Sequence, residues 1–69
     1  MDMQEIRRLS AAEVDSKIDE AREELFKLRF SIAVGQVTDT SRLRKTRVRL
    51  ARLLTAQREA AQAEEAANG

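Results

Sequence analysis

The chain has 69 residues, 42% hydrophobic and 36% charged, with no Cys, His, Pro, Trp or Tyr and two Gly. The lack of Cys and His excludes disulfide staples, thiolate metal sites and the commonest general base, so no metal or cofactor is expected and a reducing interior is permitted. No stretch approaches the ~18 apolar residues of a membrane span, and the opening "MDMQEIRRLS" has no apolar signal core, so neither membrane insertion nor export by such a signal is expected.

With almost no Gly and no Pro, the composition describes helix throughout, and a chain this short completes its burial most readily against a partner. "MQEIRRLS" reads as a short helical turn that folds Ile6 and Leu9 onto the longer helices. "SAAE" at 10–13 fits a capping box, with Ser10 accepting from the Glu13 amide and the Glu13 side chain reaching back to the Ser10 amide. From there Val14, Ile18, Ala21, Leu25, Leu28 and Ile32 recur at steps of four and three, the rhythm of a helix that buries one narrow seam. Gly35 stops this helix by taking the left-handed C′ position, and "GQVTDTS" supplies turn residues. Asp39, Thr40 or Ser41 caps the next helix, whose seam is centred on Leu50 and includes Leu43, Thr46, Leu53, Leu54, Gln57 and Ala61, all within about 60° of it. A short connection makes the helices antiparallel. The predicted fold is all-α, an antiparallel two-helix hairpin with a short N-terminal helical turn. It forms one domain over 1–69, with helix one at about 11–34, a turn at 35–39, helix two at about 40–63 and a frayed Ala- and Glu-rich tail at 64–69. Its expected length is about 35 Å, from about 24 residues at 1.5 Å each.

The net charge of +1 conceals a division: residues 1–35 carry eight acidic and six basic groups, whereas 41–58 carry seven basic groups and no acid. On the helical wheel Arg47 and Arg58 flank one edge of the second seam, Arg42 and Arg49 flank the other, and Arg44, Lys45 and Arg52 cover the far side. Helix one offsets charge internally, as with Glu23 and Lys27, but helix two has no acid at such spacing, and like charges one turn apart, such as Lys45 and Arg49, repel. A polyanion reverses that repulsion. Six of the seven cations are Arg, whose guanidinium forks onto phosphate oxygens. No aromatic residue lies on helix two to stack splayed bases, so structured RNA recognised by shape and backbone fits better than a single strand. A basic-zipper DNA binder needs its basic region before a Leu heptad, and here the order is reversed. Ser10, Ser31 and Ser41 have no His to serve as base, and adjacent acids such as Glu23 and Glu24 point to different sides of a helix, which argues against an enzyme.

Phe26 and Phe30 are the two aromatic residues, one turn apart and away from the helix-one seam. The expected arrangement is packing beneath Ile6 and Leu9; the functional reading is an apolar edge that docks a protein or RNA surface.

"EELFKLRFSIAVGQV" at 23–37 followed by "RLRKTRVRLARLLT" at 42–55 resembles the universal large-subunit ribosomal protein family twenty-nine. That family has an E-L-F-x-L-R-F core, a G-Q turn and an Arg-rich second helix ending in A-R-x-x-T. Leu25, Phe26, Leu28, Arg29, Phe30, Gly35, Gln36, Arg42, Arg44, Arg47, Ala51, Arg52 and Thr55 match it, and "EIRRLSAAEV" is similar to its start. Departures fall at Thr46, Val48 and Arg49. The resemblance implies a helical hairpin bound to large-subunit ribosomal RNA at the rim of the polypeptide exit tunnel. It also implies a neighbour in the universal ribosomal protein family twenty-three and proximity to trigger factor and the signal recognition particle. It further implies a cytoplasmic location on the ribosome, an organelle ribosome being the other setting the residues allow. By motif, Arg29, Gln36, Arg42, Arg44, Arg47 and Arg52 are the RNA-contacting candidates; Lys45, Arg49 and Arg58 join them by charge placement, and Phe26 and Phe30 are the protein-docking candidates. The competing reading is a protein-only helical adaptor, or a homodimer that uses the same seams.

Overall fold

The computed structural model describes the backbone of residues 2–36 and 39–68 and the side chains of 2–36 and 39–63. Val37 and Thr38 of the expected turn, and Gly69 of the expected tail, lie outside the described residues. The described chain forms α1 (Met3–Arg7), α2 (Ala11–Ala33) and α3 (Ser41–Asn68), with no strand among the described residues.

Each helix end follows from local chemistry. Asp2 Oδ1 accepts from the Glu5 amide at 2.9 Å and opens α1. Ser10 opens α2, its Oγ accepting from the Glu13 amide at 3.2 Å. The return arm of the expected capping box closes differently: the Glu13 carboxylate accepts from the Ser10 hydroxyl, at 3.2 Å, rather than from the Ser10 amide. At the other end of α2, Gly35 has φ +78°, the Gly35 amide donates to the Ile32 carbonyl and the Gln36 amide to the Ser31 carbonyl. This Schellman pattern satisfies carbonyls that the last helical turn leaves open. At the start of α3 the Thr40 carbonyl accepts from the Arg44 amide, while the Asp39 carboxylate accepts from the Ser41 amide at 2.9 Å. Of the three capping candidates, Asp39 therefore supplies the side-chain bond. α3 continues to Asn68, past the expected end near Ala63, because Ala, Gln and Glu are strong helix formers and neither Gly nor Pro interrupts them before Gly69. The greatest extent of the molecule is consequently 51 Å, not the expected hairpin length.

α2 and α3 pack antiparallel, as the cross-helix partners Asp15 with Gln57 and Glu24 with Arg49 require, and α1 lies chiefly on α3. Ile6, Val14, Ile18, Ala21, Leu53 and Ala56 form the buried apolar cluster, with Met3, Leu9, Leu50 and Leu54 packed against it. This core sits toward the open end of the hairpin. Toward the turn, Leu25, Leu28, Ile32 and Leu43 are only half-buried.

The seam of α3 differs from the expectation centred on Leu50. Thr46, Leu53 and Ala56 are buried, whereas Gln57 and Ala61 are exposed, which rolls the buried arc by about 40° toward Ala56. The reason is α1: Ile6, fully buried, fills the space beside Ala56 and draws the core to that side. Beside them a groove of about 430 Å³ runs between α1, the start of α2 and the 56–61 stretch of α3, lined by Ile6 and Ala56 and passing Leu9, Val14 and Ala61. Gln57 spans part of it by donating to Asp15 at 2.8 Å. Thr46, buried at a position facing α2, donates its hydroxyl to the Arg42 carbonyl at 2.9 Å, so its polar atom is satisfied.

Phe26 and Phe30 do not pack beneath Ile6 and Leu9. They are 72% and 59% exposed, and with Val34 they form an apolar edge on the turn-proximal half of α2. The antiparallel register places Ile6 and Leu9 at the opposite end of the hairpin, out of their reach.

Candidate nucleic-acid interface

The helical repeat of α3 distributes its cations around the axis, and packing on α2 decides which of them remain outward. Arg44, Lys45, Arg47, Arg52 and Arg58 are exposed along α3, and Arg42 is exposed at its first turn. Arg49 is half-buried at the margin of the α2 contact. Five of these side chains, Arg42, Arg44, Lys45, Arg49 and Arg52, share one shallow concavity of about 590 Å³ with Val48 and Glu24. Arg47 and Arg58 stand on the other edge of the helix, and Arg29 and Gln36 are exposed on α2 and just beyond it. The candidates thus form a broad basic surface around α3 and the turn-proximal end of α2.

Glu24 modifies the charge pattern expected from the sequence. Its carboxylate, reaching from α2, accepts from Arg49 Nη2 and lies 3.6 Å from Arg42 Nε. The cations of α3 are therefore not without internal counterions: Arg42 and Arg49 meet an acid across the hairpin. Sequence reasoning missed this because it sought acids on α3 itself. The signal was available in the register, since a turn at Gly35 sets residue 24 opposite residue 49. A second cross-helix pair, Arg7 with Glu59, is bidentate at 3.2 and 3.3 Å and fastens α1 to α3. Its hydrogen bond and charge raise the Arg7 pKa above its already high value. Arg44, Arg47 and Arg58 have no ion pair among the described residues. The Asp39 carboxyl titrates below its ordinary value, chiefly because it accepts hydrogen bonds from Ser41, with the Lys45 ammonium a smaller influence.

What this surface offers chemically is a set of guanidinium groups on a rigid rod, matched to phosphate oxygens and lacking any aromatic platform for unstacked bases. No described helix is long and apolar enough to cross a membrane.

Comparison with known proteins identifies a family. The family model described as Ribosomal L29 protein matches residues 4–59. The large ribosomal subunit protein uL29 of Geobacillus stearothermophilus is 48% identical over 59 residues, spanning 86% of this chain and 89% of that protein. Its namesake in Staphylococcus aureus strain JH9 is 46% identical over 59 residues, spanning 86% of each. The matched segment contains all of α1 but Met3, α2, the turn and all seven cations of α3 up to Arg58, so likeness covers the whole basic surface. The chain belongs to the ribosomal L29 family, whose members are structural, non-enzymatic components of the ribosome.

Proposed function

We propose that this chain is a structural constituent of the large ribosomal subunit in the cytoplasm, and that it holds ribosomal RNA through the Arg-rich α3. The observation that carries the RNA reading is the outward display of Arg44, Lys45, Arg47, Arg52 and Arg58 on a helix segment that has no acid from residue 41 to residue 58. Arg42, at the first turn, and Arg29 and Gln36, at the end of α2, extend this surface around the turn. Incomplete burial supports the same reading: the half of the hairpin nearest the turn carries most of these cations and has only half-buried Leu25, Leu28, Ile32 and Leu43. A partner that covers this half completes both the charge balance and the core.

In this reading the chain sits at the rim of the polypeptide exit tunnel beside the ribosomal protein of universal family twenty-three, close to where trigger factor and the signal recognition particle dock. The exposed edge of Phe26 and Phe30 is the surface offered to that protein neighbour.

The test is sedimentation of the tagged chain from lysate at moderate and high salt. Co-migration with large subunits is expected; a free small dimer would favour a protein-only adaptor instead. Arg47→Glu is expected to weaken RNA association while leaving helicity intact by circular dichroism; a collapse of helicity would make Arg47 structural. If about five phosphates are neutralised, log affinity for large-subunit RNA falls against log salt with a slope on the order of −4. Crosslinking followed by sequencing of the attached RNA, and identification of proteins joined through Phe26, checks the location.

A further inference from the structure

Seven cations on one helix invite the assumption that all of them meet phosphate, and the geometry around Glu24 divides them. Arg49 donates to Glu24 Oε2, and the two side chains are 37% and 33% exposed, so the pair is largely withdrawn from solvent at the contact between α2 and α3. Arg42, the second cation near this carboxylate, keeps 76% of its exposure and stands at 3.6 Å, a looser arrangement. We propose that Glu24 is an internal counterion that claims Arg49 as a brace between the helices, so that Arg49 makes no phosphate contact and RNA binding falls to the outward cations, Arg44 and Arg47 among them. This inference rests on the RNA-binding reading above and specifies which groups carry it.

Three physical points support the division. A half-buried ion pair is screened by salt far less than an exposed one, so it persists under conditions where surface pairs do not. A phosphate that approached Arg49 would meet the Glu24 carboxylate at contact distance, and the like-charge repulsion offsets the attraction to the guanidinium. For Arg49 to turn outward it must leave a half-buried carboxylate with only the looser Arg42, at 3.6 Å, to balance it. Arg44 and Arg47 have no ion pair among the described residues, so a phosphate there adds an interaction instead of exchanging one. The brace also fixes the roll of α3 on α2, which sets the direction in which the outward cations point.

The experiment measures the salt slope of binding to a large-subunit ribosomal RNA fragment, together with the thermal midpoint, for the full chain and four variants. Arg47→Gln is expected to make the slope shallower by about 0.9, the value for one lost phosphate contact, and to leave the midpoint unchanged. Arg49→Gln is expected to leave the slope unchanged and lower the midpoint. Glu24→Gln lowers the midpoint as well, and because it keeps the cation while removing its counterion, it steepens the slope. The Glu24→Gln/Arg49→Gln double variant melts no lower than the worse single one, since both remove the same pair. A slope change for Arg49→Gln equal to that of Arg47→Gln overturns the division while leaving RNA binding intact. An unchanged slope for Glu24→Gln does the same, even if Arg49→Gln fails to fold. A slope near zero for the unaltered chain overturns both the division and the RNA reading beneath it.

Discussion

Gly35 is the residue at which the hairpin depends on backbone freedom alone. Its φ of +78° lies in the left-handed region, yet an added Cβ would meet nothing within 4 Å, so the cost of a side chain there is purely conformational. Gly35→Ala is therefore expected to destabilise by about 1 kcal/mol, which lowers the melting temperature by about 4–8 °C in a domain of this size; a thermal melt by circular dichroism measures it. Asp39 gives a prediction in pH. Its folded pKa is depressed by the Ser41 hydrogen bonds, so its contribution is present above the unfolded carboxylate value and is lost as pH falls through the folded one. The gap in melting temperature between the unaltered chain and Asp39→Ala should be widest above the ordinary carboxylate range and narrow as pH falls below it. Gly35 and Ser10 were legible in the sequence because each acts within four residues of itself. The choice among Asp39, Thr40 and Ser41 was not, since three adjacent oxygens can serve the same end and only the backbone direction selects between them.

Between helices, what counts is the face each presents. The first half of the α2 seam, Val14, Ile18 and Ala21, is buried as its spacing predicts, whereas Leu25, Leu28 and Ile32 stay half-covered. On α3 the apolar side chains alone placed the seam at Leu50, and the true arc lies nearer Ala56 because a third element, α1, wedges Ile6 against that side. A periodicity carries no information about a neighbour supplied from elsewhere in the chain. Ile6→Ala tests this account: removal of a fully buried side chain costs about 2–4 kcal/mol, a loss out of proportion to the 5 residues of α1. The expected outcome is a melting temperature lower by more than about 8 °C, with the helicity at low temperature reduced by little more than one turn. The basic surface was legible as a count of arginines, but its division was not, because Glu24 is separated from Arg49 by 25 positions and joins it only after the helices align.

At the scale of the molecule, a rod of 51 × 17 × 16 Å can present only one side to a flat partner. The Arg42 and Arg49 edge and the Arg47 and Arg58 edge of α3 are more than about 120° apart around the axis, so RNA that meets both edges must curve around the helix. The expected salt slope supposes about five neutralised phosphates, fewer than the seven cations of α3. A core of six buried apolar side chains among the described residues is small for independent stability. The cross-helix pairs also share one property of order. Glu24 with Arg49, Asp15 with Gln57 and Arg7 with Glu59 are separated by 25, 42 and 52 positions, all nested about the same bend. Once the innermost pair has met, each later one closes only the small remaining gap, at slight additional entropy. Folding can thus proceed like a zipper drawn from its closed end, with Ile6 the last tooth to engage.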